Sequence, residues 1–443
     1  MYRRITAVIL GLAIALCAQE SQPKIALSLD KSIEIALAPD GNAKVQLAAE
    51  AVRQAQARKA EAFSALLPNF DAAWSARSFT QDLTTFGLQI KLPIPGFAIP
   101  SFVGPVDVYD LRASGTQTVF NLSVIRKFQA AGAQASATKL DTEQARVQIA
   151  ALVGKAYVNA TRAENSVATA MANLELAERL LRQANTQKEA GTGTGLDITR
   201  AEVQVASERQ RLIAAKEDRQ TALLNLLRAM NVPLDVVVEL TDPLSYKPAD
   251  IPDPAKAIQA AIGNRPDLKA QTVREHSAKL SYDSARFDRL PSVGAYGDYG
   301  VIGVEPAKLR PTRTVGINVK IPVFDGGRRD AVRAEASSQL RSEAIRSHDL
   351  LKQAELEVRT AIEALRSAEE QARVSLESLT LSTKELEQAE RRYRSGVASS
   401  LEVTDAQTRL SRARENKDVA VYRQRAARID LAAALGDRSL IAQ

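Results

Sequence analysis

The stretch RYRSGVASSLEVTDAQTRL, residues 392–410, interrupts a long helical pattern and then restarts it. A charged run ends at Tyr393, breaks over Arg394-Ser395-Gly396-Val397-Ala398-Ser399-Ser400, and resumes with Glu402 and Asp405. Residues three apart on a helix are neighbours, so a tight turn is followed at once by two carboxylates on one face. The turn has an echo. Gly191-Thr192-Gly193-Thr194-Gly195-Leu196-Asp197-Ile198-Thr199 shows the same pattern 205 residues before Gly396-Val397-Ala398-Ser399-Ser400-Leu401-Glu402-Val403-Thr404.

Other landmarks repeat in the same order. Phe120-Asn121-Leu122-Ser123 and Phe324-Asp325-Gly326-Gly327-Arg328, 204 apart, each open a long helical run. Leu67-Pro68 and Leu290-Pro291, 223 apart, each end a helix and begin alternating apolar residues. Near-constant spacing of ordered landmarks implies a tandem duplication. The chain divides into a leader over 1–18, a first repeat over 19–232, a linker over 233–254 and a second repeat over 255–443.

Each repeat reads helix, strand, strand, long helix, turn, helix. In the second, Val315, Ile317, Val319, Ile321 and Val323 alternate with Thr314, Gly316, Asn318, Lys320 and Pro322. That is the two-residue period of a sheet with one apolar and one polar face. Its partner strand is expected over about 292–304, and the first-repeat strands over about 69–80 and 107–120. Pro93-Ile94-Pro95-Gly96-Phe97 reads as a long loop between those two. Pro233, Pro243, Pro248, Pro252 and Pro254 mark the linker, with room for a short strand near Val236-Val237-Val238.

The run from about 325 to 394 has no proline. As a helix it extends on the order of 100 Å at about 1.5 Å per residue. Val358, Ile362, Leu365, Ala372, Leu376, Leu379, Leu386 and Tyr393 fall on steps of three and four, a coiled-coil seam. The run over 124–190 is similar, and 196–230 and 401–435 return antiparallel to their predecessors.

Composition narrows the function. Of 443 residues 45% are apolar, yet Phe, Trp and Tyr make only 5%, which favours long helices with narrow Ala-rich seams over one thick core. Arg3-Arg4 before the apolar run Ile5 to Leu16, with Ala18 behind it, reads as an export signal. Cys17, the only cysteine, offers lipidation as an alternative, although Leu16 stands where a small residue is usual. The net charge of +7 becomes +5 without Arg3 and Arg4, and it is interspersed, so nucleic acid is not a partner. No later stretch can cross a bilayer as a helix; membrane entry requires a closed β-barrel. Four strands cannot close one, so several chains must contribute.

With IPVFDGGRR (321–329), NRPDL (264–268) and RYRSGVASSLEVTDAQ (392–407) in place between two such repeats, the chain resembles the outer membrane efflux protein family, the TolC-like channels. The resemblance implies a mainly α protein with a membrane β-barrel. Three protomers would give four strands each to a twelve-stranded barrel in outer membrane lipid, above a hollow coiled-coil cylinder crossing the periplasm. It implies an exit duct for efflux or type I secretion, with a periplasmic adaptor and an inner-membrane transporter as partners. The turns, with Gly191, Gly193, Gly195, Arg394, Ser395, Gly396 and Val397, would be the docking tips. Glu402, Asp405 and Asp197 would line the gate, with Glu402 replacing an aspartate. Ala398 stands where the best-known member has a basic gate residue, so the resemblance does not carry a gate-locking ion pair over to that position.

Plainer readings compete. Glu402 and Asp405 also suit the first turn of any helix, worth about 0.3–1 kcal/mol each. Pro266 and Asp267 suit a helix start, and Gly326-Gly327 a strand-to-helix bend without the Lys-Ser/Thr of a phosphate loop. His276 and His348 read as ordinary helix residues. The sequence carries no nucleophile motif, metal spacing or cofactor loop, so an enzyme is not expected. The alternative function is a periplasmic coiled-coil scaffold that never inserts.

Overall fold

The computed structural model describes residues 25–87, 101–395 and 397–441. The export signal expected over 1–18, Cys17, the Pro/Gly segment at 93–97 and Gly396 lie outside the described residues. The first part of the chain forms β1 (Ile25–Leu27), α1 (Leu29–Leu37), α2 (Ala43–Ser64), β2 (Asn69–Asp82), β3 (Phe102–Phe120), α3 (Leu122–Glu189) and α4 (Gly195–Met230). The rest forms β4 (Val238–Leu240), α5 (Pro254–Asn264), α6 (Pro266–Phe287), β5 (Ser292–Gly303), β6 (Arg310–Lys320), α7 (Arg328–Arg394) and α8 (Ser400–Ala434).

α3 and α7, with 68 and 67 residues, run the length of the helical layer. α3 packs against α2 and α6 along one part of its length and against α4 and α8 along the other. α7 likewise takes α6 and then α8, so α4 and α7 are the outer members where the helices turn. The seam of α7 differs from the one read in the sequence. Val358, Ile362, Leu365, Ala372 and Leu386 of the expected seam are buried, but Leu376, Leu379 and Tyr393 are only half-buried, and Ala354, Ala361, Ala368, Ser375 and Ala389 are buried beside them. Small residues alternate with larger ones along this seam, which lets α8 approach closely. α8 carries two such stripes: Val403, Ala406, Leu410, Ala413 and Ala420 are one, and Gln407, Ser411, Asp418 and Val421 the other. Two stripes suit a helix packed between α3 and α7.

Polar clasps fix the layer. Arg265 of NRPDL is 4% exposed; its guanidinium reaches Asp267 at 2.7 Å and Glu357 of α7 at 2.6 Å. It ties the α5–α6 junction to α7, a structural role. Glu369 accepts hydrogen bonds from the Tyr246 hydroxyl and from Gln424 Nε2 at 3.0 Å, which pins the linker across α7 and α8. Beneath it, β1 and β4 pair in parallel. Tyr157 donates to the Leu27 carbonyl at 2.9 Å, and burial pushes its phenol up to about 12.

The sheet order is β2-β3-β5-β6, all antiparallel, so the central pair joins the two repeats. β6 begins earlier and ends earlier than expected. Lys320 pairs with Ser292, the first residue of β5 after Pro291, so Ile321, Pro322 and Val323 have no strand beside them. Pro322 also lacks an N–H to donate. α7 starts three residues late, at Arg328, because Gly326 and Gly327 turn with φ of 68° and 84°. One face carries Phe70, Trp74, Leu111, Tyr299, Val315 and Ile317, all exposed. The opposite face carries Asp110, Arg112, Asp298 and Thr312, and Arg112 bonds to Asp298 and, at 3.1 Å, to Thr312.

Candidate functional site

The two repeated turns, one between α3 and α4 and one between α7 and α8, lie side by side. At the first, Gly191 adopts φ 76°, a left-handed conformation that closes the end of α3 through a bond from its N–H to the Lys188 carbonyl at 2.9 Å. Thr194 then caps α4 in a capping box with Asp197: Asp197 N donates to Thr194 Oγ1 at 3.3 Å, and Thr194 N to Asp197 Oδ2 at 3.0 Å. At the second turn, Val397 N donates to the Arg392 carbonyl at 3.0 Å, and Ser399 caps α8 without a side-chain bond.

Among the described residues a single side-chain bond joins the turns. Ser400 Oγ, at the first residue of α8, donates to Asp197 Oδ1. Asp197 therefore serves Thr194 and Ser400 together, and these hydrogen bonds, Ser400 first, hold its carboxyl below the usual aspartate range. Tyr393 packs nearby against the cluster of Leu386, Val403 and Leu410. Burial, and then the charge of Asp197, push its phenol up.

The other acids are arranged differently. Glu402 is exposed and paired with Arg392, whose Nε lies 3.1 Å from its carboxylate. Asp405 shares that exposed face and has no ion pair among the described residues. Arg394 is engaged by Glu390 at 2.9 Å, and Arg391 by Glu387 at 4.0 Å. The structure thus brings Asp197 to Ser400 and Glu402 to Arg392, and leaves Asp405 as the acid facing solvent alone. Gly193 and Gly195 lie in the first turn and Ser395 in the second, where Val397 is 71% exposed. Leu196 and Leu401 add to an apolar end of the molecule.

Sequence reasoning missed Ser400 and Arg392 as partners of these acids. Ser400 and Asp197 lie 203 residues apart, and a contact at that range has no local signature.

Further along the same helices lies a buried polar layer. Glu208 of α4 is 0% exposed, takes Arg211 at 3.0 Å and Gln204 at 2.8 Å, and keeps one carboxylate oxygen unpartnered. Arg211 and Asn173 both reach Ser411 Oγ at 2.9 Å, and Arg414 reaches Asn173 at 2.6 Å. Burial pushes the Glu208 carboxyl up, with Arg211 opposing and Glu415 of α8 reinforcing. No cluster of metal-ligating side chains occurs, and no helix is long and apolar enough to cross a membrane, among the described residues.

The pattern of the family described as outer membrane efflux protein matches residues 35–232 and 257–437. The pyoverdine export outer membrane protein OpmQ of Pseudomonas putida is 24% identical over 414 residues, 92% of this chain and 85% of its own. The alkaline protease secretion protein AprF of Pseudomonas aeruginosa is 22% identical over 53% of this chain and 50% of its own. The crystal structure of the CmeC outer membrane channel of Campylobacter jejuni superposes with a TM-score of 0.78 at 19% identity, covering 92% of this chain and 85% of that one.

Proposed function

The chain belongs to the outer membrane efflux protein family, and from that premise we propose that it is the exit duct of a tripartite efflux or secretion assembly. The observation that carries the reading is the four-stranded sheet with one exposed apolar face and two unpaired edges, β2 and β6. In lipid every backbone donor and acceptor needs a partner, so β6 of one protomer pairs with β2 of the next. Threefold closure gives twelve strands. The helices favour the same closure, because α4 exposes Leu196, Val203 and Ile213 while α7 exposes Leu356, Val374 and Leu381. Burying such faces between protomers contributes about 25 cal/mol per Å² of apolar area.

In this reading the paired turns are the periplasmic tip. Val397, Leu196 and Leu401 give an adaptor protein, itself tied to an inner-membrane transporter, an apolar surface to dock on. Asp197 and Ser400 hold the two hairpins of a protomer together, and Asp405 lines the narrow end with Glu402 behind its arginine. Relatives named for pyoverdine export and for alkaline protease secretion share this duct, so the transporter selects the cargo. A scaffold that stays in water gives no reason for Val315 at 85% and Phe70 at 80% exposure on one sheet face.

Fractionation and conductance test this together. The protein should pellet with outer membranes, need detergent for extraction, and form discrete conductance steps in a planar bilayer. Recovery in the soluble periplasmic fraction would return the scaffold reading.

A further inference from the structure

Where the strands meet the helices, on the polar side of the sheet, there is a cavity of about 1080 Å³. The end of α2, the first turns of α3 and the adjoining ends of β3, β5 and β6 form its walls. Arg58 and Lys127 both line it, both are exposed, and neither makes an ion pair among the described residues. Glu61 is the one carboxylate in the wall, so cations outnumber anions. The Asn69 and Asn318 amides add neutral hydrogen-bonding groups.

The cavity also holds an aromatic platform. A Cβ built on Gly316 would lie 2.6 Å from Tyr296 Oη and 2.9 Å from its Cε1, so the ring lies across a glycine that leaves it room. Tyr296 is nevertheless 43% exposed. One side of the ring rests on the neighbouring strand and the other is open to the cavity. The second repeat does not duplicate this arrangement, since Ser281 and Ala331 stand at the points equivalent to Arg58 and Lys127.

We propose that this cavity binds organic anions bearing a planar aromatic group, with Arg58 and Lys127 taking the anionic group and Tyr296 stacking on the ring. Charge-assisted hydrogen bonds to a sulfonate or carboxylate are about twice as strong as neutral ones, and offset stacking on the Tyr296 ring adds to them. The inference rests on the channel reading for its place in transport: there the polar sheet face lines the duct, and the site recurs three times around it.

The test uses detergent-extracted full-length protein and pyrenetetrasulfonate, a planar polyanion that stays out of micelles, followed by fluorescence anisotropy. The native protein should bind it saturably. Arg58→Gln with Lys127→Gln should weaken binding roughly tenfold or more, a change of about 1.4 kcal/mol or more. Both side chains are exposed and unpaired, so the variant keeps its fold. Tyr296→Leu should weaken the dye several-fold while leaving competition by inorganic sulfate unchanged. Equal binding by native protein and the double Gln variant, or none by either, overturns the site. In a planar bilayer the same dye should block the native current and block the double variant poorly. Binding by a protein that carries no current would leave the site standing and remove the channel reading.

Discussion

Ser400 donates its hydroxyl hydrogen to Asp197, 203 residues earlier, and so links the first residue of α8 to the first turn of α4. No other side-chain bond joins the two turns among the described residues. If the narrow end opens by separation of the hairpins, this bond resists it. A hydrogen bond to a charged acceptor is worth about 1.5–3 kcal/mol, roughly a tenfold to hundredfold bias toward the closed state. Ser400→Ala should raise the resting single-channel conductance or open probability, with little change in the amount of assembled protein. An unchanged resting current would place the lock elsewhere.

The same link sets a pH dependence. The Asp197 carboxyl is held below its ordinary range, so its contribution is complete above the unfolded value of about 3.9 and is lost as pH falls through the lower folded value. Closed-state current should therefore stay flat from about pH 7 to pH 5 and rise only near or below about pH 4. Asp197→Asn should be leaky and flat over the same range. A rise beginning near pH 6 in the native protein would implicate a different group.

Glu402 and Asp405 should not behave alike. Arg392 already neutralises Glu402, whereas Asp405 has no ion pair among the described residues. In a narrow aqueous throat an unpaired carboxylate attracts cations. Asp405→Asn should reduce cation selectivity and relieve block by multivalent cations added from the periplasmic side. Glu402→Gln should do so less, and Arg392→Gln should increase selectivity. Equal effects of the two acid substitutions would mean that the pair at 3.1 Å does not persist in the assembled channel.

Glu208 carries the opposite sign. Its carboxyl is pushed up by burial, so the native protein loses stability as pH rises from the unfolded glutamate value of about 4.3 to the higher folded value. Arg211 and Gln204 from α4 and Glu415 from α8 face it. Glu208→Gln removes that component. The melting temperature of the variant relative to native should therefore increase as pH rises above the ordinary glutamate value of about 4.3. A constant difference across that rise would show that Glu208 is solvated in the assembled protein.

How much of this was legible in the sequence depends on the range of the interaction. The two-residue alternation from Val315 to Val319 announced a sheet with one apolar face, and the repeated Phe120 and Phe324 announced two equivalent strand-to-helix passages. Both are local patterns, although the passages differ in length: β3 and α3 are separated by Asn121 alone, β6 and α7 by residues 321–327. Ile321 and Val323 kept the alternation but lost the strand, because the partner strand ends at Ser292. The seam of α7 is legible at Val358, Ile362, Leu365, Ala372 and Leu386, whereas the buried Ala354, Ala361 and Ala368 are not, because alanine is compatible with either face. At the tip, Arg391, Arg392 and Arg394 all lie near Glu402 in sequence, and only the geometry of the turn selects Arg392. The Ser400–Asp197 bond joins two halves of the chain, and no spacing announces it.

Three protomers closing one duct is the claim on which the rest depends, and native mass spectrometry of the detergent-extracted protein tests it most directly. The two free sheet edges, β2 and β6, need partner strands in lipid, and the proposed threefold closure predicts a species of three chains, each close to 47.9 kDa less any removed leader, that resists dissociation while the sheet is folded. A folded monomer as the sole species, with its strand signal intact by circular dichroism, would contradict the closure of β6 onto β2 of a neighbouring protomer.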